Sequence, residues 1–225
     1  MIYVMSDLHG QYDKYRKMLD KIKFKDSDTL FLIGNICDIG EKPCAILLDT
    51  MMRANVYPII GKSDYTALRM LSGMNDEKVK ADPSFRSAFT KWISRGGVTT
   101  ATEFRQLDED SQTDILDYIR EEFVAYDEIT VAGTNYIMVS TGVPEKDCNL
   151  DDMDIEELLD NIPDFSFEPY EDSVVISGAI PTYEYDEDYR GTIYRRNGQI
   201  GINTAPYEGE PLGCLCLDTG KEYYV

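Results

Sequence analysis

Histidine is nearly missing from this chain: His9 is the only one in 225 residues. Chemistry that gathers several imidazoles, as metal ligands or as acid–base pairs, is thereby excluded. Cysteine offers no scaffold either. Cys37, Cys44, Cys148, Cys214 and Cys216 are odd in number and form no C-x-x-C pair, so neither a disulfide framework nor a zinc knuckle is indicated. Basic residues are scarce, 22 Lys and Arg against 42 Asp and Glu, for a net charge of −20. That charge repels phosphate backbones and anionic headgroups, which leaves nucleic-acid and membrane-surface roles without support. No apolar run is long enough for a membrane span, and the segment Met1 to Ser6 lacks the basic flank of a signal peptide. A cytoplasmic protein is expected. Pro/Gly/Ser-rich linkers and internal repeats are absent, so the chain reads as one domain over 1–225. The acidic tract Asp147 to Glu157 reads as a solvated loop leading into a short helix.

Apolar residues are plentiful, at 43% with 16 Tyr, and their spacing gives the outline of a fold. Ile2 to Ser6 is a strand, and Tyr12, Tyr15, Met18, Leu19 and Ile22 follow at helical spacing. The unit recurs with strand Thr29 to Ile33 and helix Cys44 to Ala54, then with strand Val56 to Ile60 and a helix through Leu68 and Leu71. Three strand–loop–helix units predict parallel strands with polar loops gathered at their carboxyl ends. From about 75 to 126 the pattern is helical, including Ser84 to Ile93 and a stripe of Ile115, Leu116, Ile119 and Phe123; a helical cap insertion is expected. Beyond it the character turns to β, with strands Glu128 to Ala132, Tyr136 to Ser140 and Val174 to Ser177. Hairpins are expected at Asn197-Gly198 and Thr219-Gly220. Alternation in Cys214-Leu215-Cys216 places the two thiols on one face. The predicted class is α/β, a two-sheet sandwich with outer helices.

Five polar loops each follow a predicted strand: Asp7-Leu8-His9-Gly10, Gly34-Asn35-Ile36-Cys37-Asp38-Ile39-Gly40, Gly61-Lys62-Ser63-Asp64, Ser140-Thr141-Gly142 and Gly178-Ala179-Ile180-Pro181-Thr182. In this order they resemble the metal-site loops of the calcineurin-like metallophosphoesterases, in the phosphoprotein-phosphatase and diadenosine tetraphosphatase branch. Those loops read D-x-H-G, G-D-x-x-D-R-G, G-N-H-E, H-A-G and G-H-T-P. Trp92 to Thr99, Asn203-Thr204 and Gly213-Cys214-Leu215 echo further segments of that branch. The resemblance implies a calcineurin-like sandwich and a hydrolase that clamps a phosphoryl group between two ions about 3.5–4 Å apart.

Carried over position by position, the resemblance implies a depleted site. Asp7 and His9 match two metal ligands. The bridging carboxylate is Asn35, the third-loop ligand is Lys62, and the last two ligands are Ser140 and Ala179. A neutral amide cannot draw two dications together, an ammonium has no lone pair, and an alanine methyl ligates nothing. The proton donor's place is taken by Ser63, beside Asp64, and Asp38 has no histidine to orient. Two arginine positions are filled by Ile39 and Ile162, which offer no match to phosphate oxygens.

Two readings of Asp7 and His9 remain open at this level: a hydrogen-bonded pair that persists at a strand end, or a residual site for one Mn²⁺ or Mg²⁺. Lys62 is expected to replace the metal charge by pairing with Asp7, with Asp38 or Asp64 as further partners. Cys37 is expected to be a packed, inert thiol, because no second histidine could activate it. The functional expectation is a pseudophosphatase, without a cofactor, that acts as a binding or regulatory module. Its alternative is a weak metal-dependent phosphatase or nucleotide phosphoesterase using Asp7, His9, Asn35 and Asp38. A binder of phosphate esters through Lys62 and loop amides is a third. A protein or a phosphate-containing small molecule would be the partner, and the tyrosine-rich stretch Tyr183 to Tyr194 is a candidate surface.

Overall fold

A computed structural model describes all residues, 1–225. Ten strands form two five-stranded sheets. The first has the order β10-β9-β1-β2-β3, built from β1 (Ile2–Ser6), β2 (Thr29–Ile33), β3 (Val56–Ile59), β9 (Gly213–Cys216) and β10 (Glu222–Tyr224). The second has the order β4-β5-β6-β8-β7, from β4 (Tyr126–Val131), β5 (Thr134–Val139), β6 (Ser173–Ser177), β7 (Tyr194–Arg196) and β8 (Gln199–Gly201). β1, β2 and β3 run parallel, with Ile2 opposite Thr29 and Leu30 opposite Val56. Their crossovers are α1 (Tyr12–Ile22) and α2 (Pro43–Met51).

The period of two in the strands builds the layers. On β1 and β2, Tyr3, Met5, Leu30 and Leu32 face the helices, whereas Val4, Phe31 and Ile33 face the second sheet and meet Met138, Ile176 and Ile200. Each such side chain taken out of water contributes about 1.5–3 kcal/mol. The expectation for the last strands holds on the same rule: Cys214 and Cys216 lie on the helix side and Leu215 on the inter-sheet side. A third cluster, with Val139, Leu158 and Val175, closes the outer face of the second sheet.

α3 (Lys62–Met74) follows β3, the helical insertion contains α4 (Glu77–Ala81), α5 (Pro83–Trp92), α6 (Val98–Gln106) and α7 (Glu109–Glu122), and the acidic tract leads into α8 (Ile155–Asp160). Part of the acidic excess caps these helices. Asp76, Asp82, Asp108 and Asp154 each accept from backbone N–H groups of the first turn, which satisfies donors that no carbonyl reaches. Differences from expectation are confined to ends and turns. The second helix stops at Met51 rather than Ala54, and the β4–β5 turn is centred on Ala132-Gly133, both at positive φ (50° and 86°), as a tight hairpin requires. At Asn197-Gly198 both φ values are positive, as expected. No helix is long and apolar enough to cross a membrane.

Candidate functional site

The loops after β1, β2 and β3 and those after β5 and β6 meet at the carboxyl ends of the parallel strands. Two glycines permit the approach. A Cβ on Gly61 would lie 2.3 Å from the Asn35 nitrogen, and one on Gly178 would lie 2.2 Å from Asp7 Oδ2. Asp7, His9, Asn35, Asp38, Ile39 and Ala179 all have positive φ, a conformation costly for side-chain-bearing residues and concentrated where loops are held in fixed geometry.

Asp7 is fully buried. Its Oδ1 accepts from Asn35 Nδ2 at 2.8 Å and its Oδ2 from the Ala179 N–H at 3.1 Å. The orientation of the Asn35 amide follows from its other contact. The Ser63 backbone N–H, 3.0 Å away, can only donate, so it takes the amide oxygen and the NH₂ group is turned to Asp7. Burial pushes the Asp7 carboxyl up to about 7, against the pull of these hydrogen bonds.

His9 donates from Nδ1 to the Cys37 carbonyl at 3.0 Å, leaving Nε2 with its lone pair. Nε2 lies 3.9 Å from Asp7 Oδ1, beyond hydrogen-bond reach. The hydrogen-bonded Asp–His pair read from sequence is therefore not formed; the carbonyl of the neighbouring loop competes for the imidazole. Burial holds His9 down at about 4, so it is neutral at physiological pH and supplies no cation to Asp7.

The expected role of Lys62 is also corrected. Its ammonium donates to Asp160 at 2.6 Å, with 64% of the side chain exposed, and it pairs with none of Asp7, Asp38 or Asp64. Lys62 opens helix α3 at the surface, and a solvated ion pair costs far less than desolvating an ammonium inside the site. Lys62→Ala is accordingly expected to change stability by less than about 1 kcal/mol in urea unfolding, as for other exposed pairs. A loss of several kcal/mol would place the ammonium back in the interior.

Asp38 and Asp64 have structural partners. Asp38 accepts from Trp92 Nε1 at 2.8 Å and from Thr100 Oγ1 at 2.9 Å, so it fastens the helical insertion to the second loop. It was expected to have nothing to orient, and the indole and hydroxyl take the place of an imidazole. Gly97 lies flat on Trp92, since a Cβ there would sit 2.3 Å from the ring. Burial raises the Asp38 carboxyl to about 6. With the folded value above the unfolded one, Asp38 contributes stability that is complete below about pH 4 and is lost as pH rises through about 6. Because Trp92 is the only tryptophan, its emission is expected to titrate near pH 6 and to be flat there in Asp38→Asn. Asp64, fully buried, accepts from the N–H groups of Ile36, Cys37 and Gly61 at 2.8, 2.9 and 3.0 Å. It ties the second loop to the third.

Cys37 is fully buried and burial pushes its thiol up, which makes it inert. Ser63 and Ser140 have buried hydroxyls without a hydrogen-bond partner. Ile39 and Ile162 stand exposed, at 43% and 65%. Much of the tyrosine-rich stretch packs inward: Tyr185, Tyr189 and Tyr194 form an aromatic cluster with Phe165.

Thr100, Tyr207 and Lys14 escaped the sequence reading. The Tyr207 ring meets His9 edge to face, with centroids 4.6 Å apart. Lys14 holds that turn by donating to the carbonyls of Pro206 and Glu210 at 2.7 and 2.6 Å. A lone Lys or Tyr carries no positional signal in one sequence; only the fold brings residues so far apart together.

Two metal ions would find few free lone pairs among these groups. Both Asp7 oxygens accept N–H groups, Asn35 presents a donor where a bridging group needs a lone pair, Ser140 offers a neutral hydroxyl and Ala179 a methyl. Only Asp7 and His9 Nε2 suit a cation, and no three carboxylate, imidazole or thiol groups converge. These residues do not fit a binuclear centre. The main surface cavities, 400 to 770 Å³, lie elsewhere, and none is lined by Asp7, His9, Asn35, Asp38 or Lys62.

Comparison with known proteins agrees with this architecture. A symmetrical bis(5'-nucleosyl)-tetraphosphatase of Haemophilus ducreyi is 32% identical over 90 residues, a match spanning 39% of this chain and only 33% of that protein. The crystal structure of a candidate diadenosine tetraphosphatase superposes with a TM-score of 0.66 at 15% identity, covering 100% of this chain and 92% of the other. A protein serine/threonine phosphatase of Saccharomyces cerevisiae gives 0.60 at 12% identity, over 95% of this chain and 71% of the other. A cold-active protein-tyrosine phosphatase of Shewanella gives 0.55 at 15% identity, over 99% and 79%. At these identities the structural likenesses speak for the fold. The profile of the calcineurin-like phosphoesterases matches residues 1–198, and the chain belongs to that family.

Proposed function

We propose that this chain keeps the calcineurin-like sandwich without its hydrolysis and serves as a binding module. The observation that carries this reading is the Asn35 amide, whose NH₂ group is 2.8 Å from Asp7 at the position where two-metal chemistry needs a bridging carboxylate. Charge that metal ions would neutralise is met instead by N–H groups of the chain itself. The remaining requirements are depleted in the same direction. Isoleucines at 39 and 162 cannot clamp an anion, and a serine hydroxyl at 63 is a poor proton donor to a leaving alcohol near neutral pH.

The rival reading, a weak single-ion phosphoesterase on Asp7 and His9, draws on the His9 Nε2 lone pair. Hydrolysis of p-nitrophenyl phosphate and diadenosine tetraphosphate, assayed with Mn²⁺ and Mg²⁺, separates the two. The expected result is a rate equal to that of Asp7→Ala. Turnover that disappears in Asp7→Ala would overturn the proposal and establish the weak phosphoesterase.

A further inference from the structure

The amino end of β3, away from Asp7, carries a surface that the sandwich does not explain. Met52, Tyr57 and Val124 are among the few exposed large hydrophobic residues, at 82%, 45% and 42%. Met52 and Tyr57 border one hollow of 730 Å³, and Val124 is bonded to Pro58, the residue after Tyr57. A second hollow of 430 Å³ adjoins the first and shares Tyr57, Arg53 and Ala54 with it. Tyr57 borders both depressions, and its half-exposed ring packs on Phe31, with centroids 5.5 Å apart, at the β3 edge of the first sheet.

Charge around these depressions is one-sided. Helix α7 lines the smaller hollow with Asp114, Asp117, Glu121 and Glu122, of which only Asp117 has a basic partner, Arg120. Arg53, the cation common to both hollows, is neutralised by two hydrogen bonds to Asp49 at 2.7 and 3.1 Å. The strand edge is closed to another strand. Pro58 has no N–H, its carbonyl accepts from Val124 at 3.2 Å, and Ile60 donates to the Val124 carbonyl at 2.9 Å. Recognition here must go through side chains.

We propose that this face docks a protein segment in which an apolar side chain is flanked by lysine or arginine. The apolar group would pack on Met52 and the exposed edge of Tyr57, and the cations would reach the unpaired carboxylates of α7. A second copy of this chain is a poor occupant, because a two-fold contact would set the same carboxylates against each other. Partners rich in phosphate are repelled for the same reason. The inference does not depend on the reading of Asp7.

The test is binding of a fluorescein-labelled peptide with the core Lys-Leu-Arg-Phe-Lys to the full chain, by anisotropy at low salt. Saturable binding is expected, weakened at least tenfold in Tyr57→Ala and in the Glu121→Lys, Glu122→Lys double variant, the latter a surface change that leaves the core intact. The double variant Glu145→Lys, Glu157→Lys makes the same charge change on another face and is expected to bind as the parent does. Equal weakening by both charge pairs would show non-specific attraction and overturn the proposal. So would no binding at 1 mM peptide, unchanged affinity in Tyr57→Ala, equal binding of a peptide with Glu for its basic residues, or self-association abolished by Tyr57→Ala.

Discussion

Asn35→Asp is expected to destabilise the metal-free protein by about 2–4 kcal/mol at pH 8. The Ser63 N–H would still hold one carboxylate oxygen, because it can only donate. The other oxygen would then face Asp7 Oδ1 across the 2.8 Å now spanned by an N–H donor. Two buried carboxylates at that distance cannot both ionise, so one retains a proton to a higher pH than Asp7 does alone, already about 7 through burial. With the folded value raised above the unfolded one, the stability is present at low pH and lost as pH rises through the folded value. The variant should therefore melt near the parent at pH 5 and about 5–15 °C below it at pH 8, given roughly 2–4 °C per kcal/mol for a chain of this size. Mn²⁺ should recover the loss in the variant, where Asp7, the new carboxylate and His9 Nε2 could share an ion. Thermal melts at both pH values check this, and an unchanged melting temperature at pH 8 would show that the Asn35 amide is not what balances Asp7.

Asp64→Ala carries the largest expected loss of stability. Its carboxylate accepts three backbone N–H groups, from Ile36, Cys37 and Gly61, in a place without solvent access. Removing it strands all three donors, at about 1–3 kcal/mol each. The sum approaches the whole stability of a typical domain, so the variant is expected to unfold in low urea or to fail to accumulate in soluble form. Burial raises the Asp64 carboxyl above its ordinary range while the three N–H bonds pull the other way, the balance expected of a group kept for its backbone contacts. Urea unfolding is the measurement, and a loss below about 1 kcal/mol would show that the three N–H bonds to Asp64 are not what holds these loops together.

These two residues show how far the sequence could be read. The layers follow from alternation, since Val4 and Phe31 against Met5 and Leu32 define two faces, whereas the order of the strands within each sheet came only with the fold. The order of five polar loops was enough to indicate the family. Which substitution compensates for missing metal charge was not legible, because it depends on where a side chain points. Lys62 has the right charge but begins a helix at the surface, where Asp160 and water are better partners. Asn35 has no charge, yet its amide is oriented by a backbone N–H that no sequence pattern displays. Asp38 was recognisable as a loop residue, whereas its bonds to Trp92 and Thr100 join segments more than fifty residues apart. Tyr207 and Lys14 likewise acquire meaning only when the chain's end folds back over His9.

The most direct test of a site closed to metal is the melting temperature of the purified chain at pH 7.5 after chelation, with and without 1 mM Mn²⁺. A donor set of one hydrogen-bonded carboxylate and one imidazole predicts a change below about 1 °C. An ion bound at about 10 μM would stabilise by about 2.7 kcal/mol, a rise of several degrees. Such a rise, absent in Asp7→Ala, would contradict the account and make Asp7 and His9 a working metal site.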